Sequence, residues 1–97
     1  MYCLAERVQL RLPESHSLKA KRAVLRPVLD RVRNRHVSIS EVDHQDSWQL
    51  SALGIAIVAP TERRAVEEMD EIDRIVWGQP GLDVLEVERR WVEFESP

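Results

Sequence analysis

Apolar and polar residues alternate over the first twelve positions of the chain. Leu4, Val8 and Leu10 share one face of an extended backbone, and polar residues such as Arg7 take the other face. A period of two is typical of a strand that is buried on one face only. The segment therefore predicts a first strand, which ends at Pro13 because proline has no amide hydrogen to donate to a sheet.

The next segment has the period of a helix. Its apolar residues fall on one stripe of a helical wheel: Leu18, Leu25, Val28, Leu29 and Val32. Ser17 is suited to cap the first turn, because its hydroxyl can accept a hydrogen bond from a backbone amide. The pattern predicts a helix from about Leu18 to Asn34 that is buried along one side.

The remaining elements follow from the same two periods. Residues 37–45 and 48–59 are rich in β-branched and apolar side chains, which predicts a hairpin joined by a polar turn. Residues 61–77 carry apolar side chains three or four positions apart, which predicts a second helix. Residues 82–94 alternate with one interruption, which predicts a last strand that contains a bulge.

The predicted order is βαββαβ, and each helix is apolar on one side only. The economical architecture for that order is an α+β, ferredoxin-like sandwich, in which a four-stranded antiparallel sheet carries both helices on one face. A chain of 97 residues with a hydrophobic fraction of 43% suits one domain with a single core. We therefore expect residues 1–97 to form one domain.

Composition narrows the cellular setting. Cys3 is the only cysteine, which excludes an internal disulfide and favours a reducing compartment. Glu6 and Arg7 interrupt the apolar run at the N-terminus, so we expect neither a signal peptide nor a membrane span there. These features predict a cytoplasmic protein that does not contact membranes.

Charge is distributed unevenly along the chain, although the net charge is only -3. Residues 1–36 hold nine Lys or Arg against three acidic residues, whereas residues 37–97 hold five against fourteen. Such a chain is expected to dock through charge, either onto nucleic acid or onto another copy of itself.

One basic residue is predicted to face inward. Lys21 falls on the apolar stripe of the first helix, and Glu41 falls on the same strand face as Ile39. The fold brings the end of the second strand beside the start of the first helix. We therefore predict a structural ion pair between Lys21 and Glu41, with Glu6 nearby on the first strand. A catalytic lysine is not favoured, because the sequence indicates no substrate cleft and no small-molecule substrate.

The stretch EVDHQDSWQ at residues 41–49 raises the question of a metal site. His16, His44 and Asp46 could approach one another at the predicted hairpin, but their spacing matches no strong ligand signature. Asp and Ser are also the residues that turns use to bond their own amides. We expect no metal and no cofactor, with Asp46 capping the turn and Trp48 anchoring the hairpin by burying its ring.

Three short motifs carry a family resemblance: SLKAKR at residues 17–22, VSISEV at 37–42 and DSW at 46–48. They resemble the recurring pattern of the YlxP-like family of small bacterial proteins, and the resemblance extends over nearly the whole chain. It implies a ferredoxin-like fold and genes that lie beside those for translation initiation and ribosome maturation factors. The family supplies no established catalytic residues.

Two non-enzymatic functions are favoured, and an enzyme is the third and weakest class. In the first, a binding module acts in ribosome maturation or RNA metabolism, with RNA or a ribosomal subunit as its partner. Four cations on one side of the first helix would meet phosphates: Lys19, Arg22, Arg26 and Arg33. A solvent-facing helix that is simply charged explains the same residues.

The alternative function is a structural or regulatory homodimer that docks another protein. The third strand is apolar on both faces, so the sheet face without helices would leave Ala56 and Val58 uncovered.

Overall fold

The computed structural model of the protein describes residues 1–93. Six elements follow one another: β1 (Tyr2–Arg11), α1 (Leu18–Arg33), β2 (Ser38–Asp43), β3 (Leu50–Ala59), α2 (Glu62–Trp77) and β4 (Asp83–Val92). The predicted βαββαβ order is confirmed. The last strand was expected to reach Phe94, which lies outside the described residues.

The four strands form one antiparallel sheet in the order β2-β3-β1-β4. In this arrangement α1 begins at the end of the sheet where β1 and β2 finish and where β3 and β4 start. The loops of residues 12–17 and 44–49 meet there, and the amide of Leu12 donates to the carbonyl of Gln49 at 2.8 Å.

The core lies between the two helices and one face of the sheet, as the periods predict. Its fully buried side chains come from both layers: Leu4, Val8, Leu10, Leu53, Val28, Val32, Ala65, Met69 and Ile72. Both helices begin at a capping hydroxyl, since Ser17 accepts from the amide of Ala20 at 3.0 Å and Thr61 from that of Arg64 at 3.2 Å. Neither helix within residues 1–93 is long and apolar enough to span a lipid bilayer.

The opposite face of the sheet carries no helix. Val58 is 66% exposed there, and it shares a row across the sheet with Cys3 and Val92. Further along β3, Val42 packs so closely over Gly54 that a Cβ atom at position 54 would lie 2.7 Å from its Cγ1 atom. The open face is therefore apolar at one end, and Val42 covers Gly54 in the middle of β3.

The predicted bulge of the last strand is present. The pairing of β1 with β4 shifts register between Gln9 and Leu10, which leaves Leu85 without a partner and 56% exposed. In the part of β4 that follows the bulge, Trp91 pairs with Leu4 and Arg89 pairs with Glu6. The bulge therefore determines which side chains of β4 point toward the helices.

Candidate nucleic-acid interface

The four cations predicted to bind nucleic acid all lie exposed on α1. Lys19, Arg22 and Arg26 border a shallow depression of about 570 Å³, together with Asp30 and two small apolar residues. Arg33 lies about two turns further along the helix, where its Nη2 atom is 3.5 Å from the carbonyl oxygen of Ile39. Three of the four side chains therefore share one concave surface, and the fourth lies further along the same helix.

Most cations of the described chain are neutralised by a carboxylate within 4.0 Å: Arg7, Arg11, Lys21, Arg35, Arg63, Arg74, Arg89 and Arg90. Within residues 1–93 the remaining Lys and Arg side chains have no such partner, and all but Arg64 belong to α1: Lys19, Arg22, Arg26, Arg31 and Arg33. Uncompensated positive charge is thus concentrated on one helix. The electrostatic attraction for an anionic partner would therefore be strongest at α1.

The structure brings Lys21 and Glu41 together. Lys21 is only 2% exposed, and its Nζ atom lies 3.0 Å from Oε2 of Glu41. The same ammonium donates to the carbonyl oxygens of His44 at 2.8 Å and Leu50 at 3.2 Å, while Ser51 Oγ donates to Glu41 at 2.6 Å.

Because a buried ion pair gains little net stability after desolvation, the main effect of Lys21 is positional. Its ammonium has three protons, and their acceptors lie on β2, on the loop of residues 44–49 and at the start of β3. One side chain of α1 therefore holds the whole β2–β3 connection against the helix.

The expectation that Glu6 lies near this pair is wrong. Glu6 faces Arg89 across the sheet, and Arg89 donates from Nε to Glu6 at 3.0 Å. The Nη2 atom of Arg89 also reaches Asp73 on α2 at 2.8 Å and Asp70 at 3.2 Å. One arginine thus binds three carboxylates from β1 and α2.

Glu6 is the strongly perturbed group of this cluster. The pKa of Glu6 is raised to about 8, mainly by burial and also by the neighbouring carboxyl of Asp73, against the opposing effect of Arg89. Within the described residues, the Oε1 atom of Glu6 is buried and has no hydrogen-bond partner. The sequence did carry a signal for this cluster, because Glu6 lies between Leu4 and Val8 on the core face of β1.

The suspected metal ligands do not form a site. Among residues 1–93, no three His, Cys, Asp or Glu side chains are grouped so that they could hold a metal ion. His16 and Asp46 border one open depression, whereas His44 does not line it. His44 instead occupies a turn with a left-handed φ of 61°, and its amide donates to Oδ1 of Asp43 at 2.8 Å.

The prediction that Trp48 buries its ring is also wrong. Trp48 is 55% exposed and lines the depression of about 540 Å³ beside His16, Asp46, Ser47 and Gln49. The reason is that Lys21 fixes the hairpin through backbone carbonyls, so the connection does not need the indole ring as an anchor.

A family model described as "Protein of unknown function (DUF503)" matches residues 4–89. The chain belongs to the DUF503 family. Among curated proteins, it is 35% identical over 79 residues to the uncharacterized protein YlxP of Bacillus subtilis (strain 168), covering 80% of this chain and 86% of that one. The predicted resemblance to the YlxP-like family is confirmed.

Solved structures support the fold of this DUF503 chain. A de novo designed protein with a ferredoxin fold matches with a TM-score of 0.55 at 18% identity, covering 100% of this chain and 91% of the design. A dimeric ferredoxin-like protein from an uncultured marine organism matches with a TM-score of 0.56 at 8% identity, covering 99% and 100%. At these identities the likeness concerns the fold alone, and the ferredoxin-like prediction is confirmed.

Proposed function

We propose that this protein is a non-enzymatic binding module that contacts RNA through α1. The observation that carries the proposal is the concentration of unpaired cations on this helix, in a chain that neutralises most of its other basic residues. Phosphates are the common anionic groups that a row of separate cations fits, since each contact releases a counterion.

The shape of the surface supports recognition of the RNA backbone. Lys19, Arg22 and Arg26 border a shallow depression that is open to solvent. Asp30 lies at its border and would repel phosphate locally, so the contacts would follow the side of α1 that Arg22 and Arg26 occupy. On the open sheet face, β1 and β3 present small or charged residues such as Arg7 and Ala56 where RNA-recognition sheets present paired aromatics.

Ribosomal RNA is the first RNA to test. The gene neighbourhood implied by the YlxP-like resemblance favours a role in ribosome maturation, and a cytoplasmic location follows from the same proposal. Co-sedimentation of the purified protein with ribosomal subunits would provide the physiological test.

The charge mechanism is tested by the salt dependence of binding. Each phosphate contact with single-stranded RNA contributes about 0.7 to the slope of log affinity against log salt. The double variant Arg22→Gln, Arg26→Gln removes two contacts, so its slope should be smaller by about 1.4 and its affinity should fall for every RNA sequence. Fluorescence anisotropy at several salt concentrations measures both quantities.

A matched control removes the same charge elsewhere. The double variant Arg63→Gln, Arg64→Gln lies on α2, where Arg63 pairs with Glu67 and both arginines are exposed. It should bind RNA as the wild type does. If both double variants lose affinity equally, binding follows net charge and the assignment to α1 is wrong.

A homodimer formed through the open sheet face is the second candidate. The observation that favours it is the exposed row of Val58, Cys3 and Val92, since Val58 is 66% and Val92 44% exposed. One structural neighbour of the same fold is described as a dimer. Light scattering should then give about twice the 11.3 kDa of one chain.

The variant Val58→Lys should break the dimer and scatter with the mass of one chain. The control Ser40→Lys, on the same face, should keep the mass of the dimer. A wild-type protein that scatters as a single chain at all working concentrations would reject the dimer.

A further inference from the structure

We propose that the depression beside Trp48 is a nucleobase-binding site, which makes single-stranded RNA the ligand of this module. The inference rests on the proposed function, because it assigns a base contact to the strand whose phosphates α1 would bind. It adds a specificity element that a row of cations alone does not supply.

Trp48 is exposed although its loop is well fixed. The loop is held by Lys21 from one side and by two bonds to the β1–α1 connection from the other: Leu12 N to Gln49 O at 2.8 Å, and Gln49 Nε2 to Pro13 O at 3.3 Å. Within the loop, the amide of Ser47 donates to His44 O at 2.9 Å. A large apolar ring that is 55% exposed on a fixed loop is a prepared contact surface, because little ordering remains to be done on binding.

The lining of the depression suits a base better than a phosphate. The indole of Trp48 supplies a face for stacking, and His16 supplies a second ring at the border. Asp46 carries an acceptor that an exocyclic amino group of a base can reach, and its negative charge disfavours phosphate. Bases inside a duplex are already stacked, so the site selects an unpaired strand.

The depression and the cationic surface are lined by residues that are close in sequence. His16 lies immediately before the capping residue Ser17, and Lys19 and Arg22 follow in the first two turns of α1. A strand whose phosphates lie along α1 can therefore place a neighbouring base on Trp48. The two surfaces together would contact both the phosphate backbone and a base of the RNA strand.

Binding of short RNAs separates the two contributions. The probes are a ten-nucleotide oligoadenylate, an abasic ribose-phosphate strand of equal length and an RNA duplex. Trp48→Ala should weaken oligoadenylate binding by about 5- to 150-fold, the usual value of one base stacked on an aromatic ring, and should leave the salt slope unchanged. Trp48→Phe should retain most of the affinity, and the abasic strand should bind wild type and Trp48→Ala alike.

Trp77→Ala is the matched control, because Trp77 is 62% exposed at the end of α2 and lies outside the proposed site. It should bind oligoadenylate as the wild type does, and all variants should keep the wild-type melting temperature.

Unchanged oligoadenylate affinity in Trp48→Ala would overturn the site and would leave the ring to a protein partner. If Arg22→Gln, Arg26→Gln weakens binding in the same experiment, the proposed function survives without the base site. Equal loss of all three probes in Trp48→Ala would also overturn the site, since the ring would then act only on the shape of the loop. A wild type that binds none of the probes refutes both proposals.

Discussion

Replacing Glu6 by glutamine should stabilise the protein at alkaline pH. The side chain of Glu6 is fully buried, one of its oxygens has no hydrogen-bond partner among the described residues, and Asp73 adds negative charge. Arg89 compensates only in part, since it is shared with Asp70 and Asp73. Glutamine keeps the shape and an acceptor for Arg89 but cannot ionise.

The magnitude follows from proton linkage. The pKa of Glu6 rises from its usual 4.5 to about 8 in the native protein, mainly because of burial. Between these values the native state holds a proton that the unfolded chain has released, so stability falls as the pH rises. Each pH unit in this window costs about 1.4 kcal/mol of stability, and we expect a loss of roughly 2 to 4 kcal/mol between pH 5 and pH 8.

The carboxyl of Glu68 affects stability in a different pH window. Arg35 lowers the pKa of Glu68, so the stability that this pair contributes is present above the usual pKa of 4.5 and is lost as the pH falls below it. Groups that titrate between pH 5 and pH 8 contribute equally to the wild type and to Glu6→Gln. The difference between the two proteins therefore isolates Glu6.

Urea unfolding at a series of pH values measures this difference. Glu6→Gln should match the wild type within about 1 kcal/mol at pH 5 and exceed it by roughly 2 to 4 kcal/mol at pH 8. Glu88→Gln is the control, because Glu88 pairs with Arg7 on the open sheet face and is partly exposed. Parallel pH profiles for wild type and Glu6→Gln would refute the assignment of a raised pKa to Glu6.

Two further predictions concern packing. Lys21→Met leaves Glu41 and several carbonyls without their cation, so urea unfolding should show a loss of roughly 2 to 4 kcal/mol of stability, with faster amide exchange in residues 44–49. Adding Glu41→Gln should recover part of that stability. A double variant that recovers none of it would contradict the pairing of Lys21 with Glu41. Gly54→Ala should lower the stability by about 1 to 3 kcal/mol, because the added methyl group would clash with Val42. Adding Val42→Ala should relieve this clash and restore part of the stability. A double variant as unstable as Gly54→Ala alone would exclude the clash as the cause.

The fold and the Lys21 contact were predictable because each depends on a period. Alternation in β1 and the stripe on α1 identify the buried faces, and the βαββαβ order leaves few ways to join them. Lys21 lies on that stripe and Glu41 on the inner face of β2. Once the topology is known, the two have few other partners within reach.

The partner of Glu6 was not predictable from the same reasoning. The bulge at Leu85 reverses the alternation within β4, so counting inward-facing residues from Val84 selects Glu86 and Glu88. Counting from Trp91 selects Arg89. Only the register across the sheet decides between the two counts, and hydrophobic periodicity does not contain it. Trp48 was misplaced for a related reason, because its loop is positioned by bonds to backbone carbonyls that no side-chain pattern records.

The charges of α1 also explain why structure and binding can be tested separately. Lys21 and Arg22 are adjacent in sequence, but successive residues of a helix point about 100° apart, so one ammonium is buried and the next cation is exposed. Removing Lys21 takes away the donor that bonds the carbonyls of the β2–β3 connection, whereas removing Arg22 breaks no ion pair within the described residues. A loss of RNA affinity in Arg22 variants with unchanged stability would therefore arise at the surface of α1. The same loss in Lys21 variants would arise from the loop that carries Trp48.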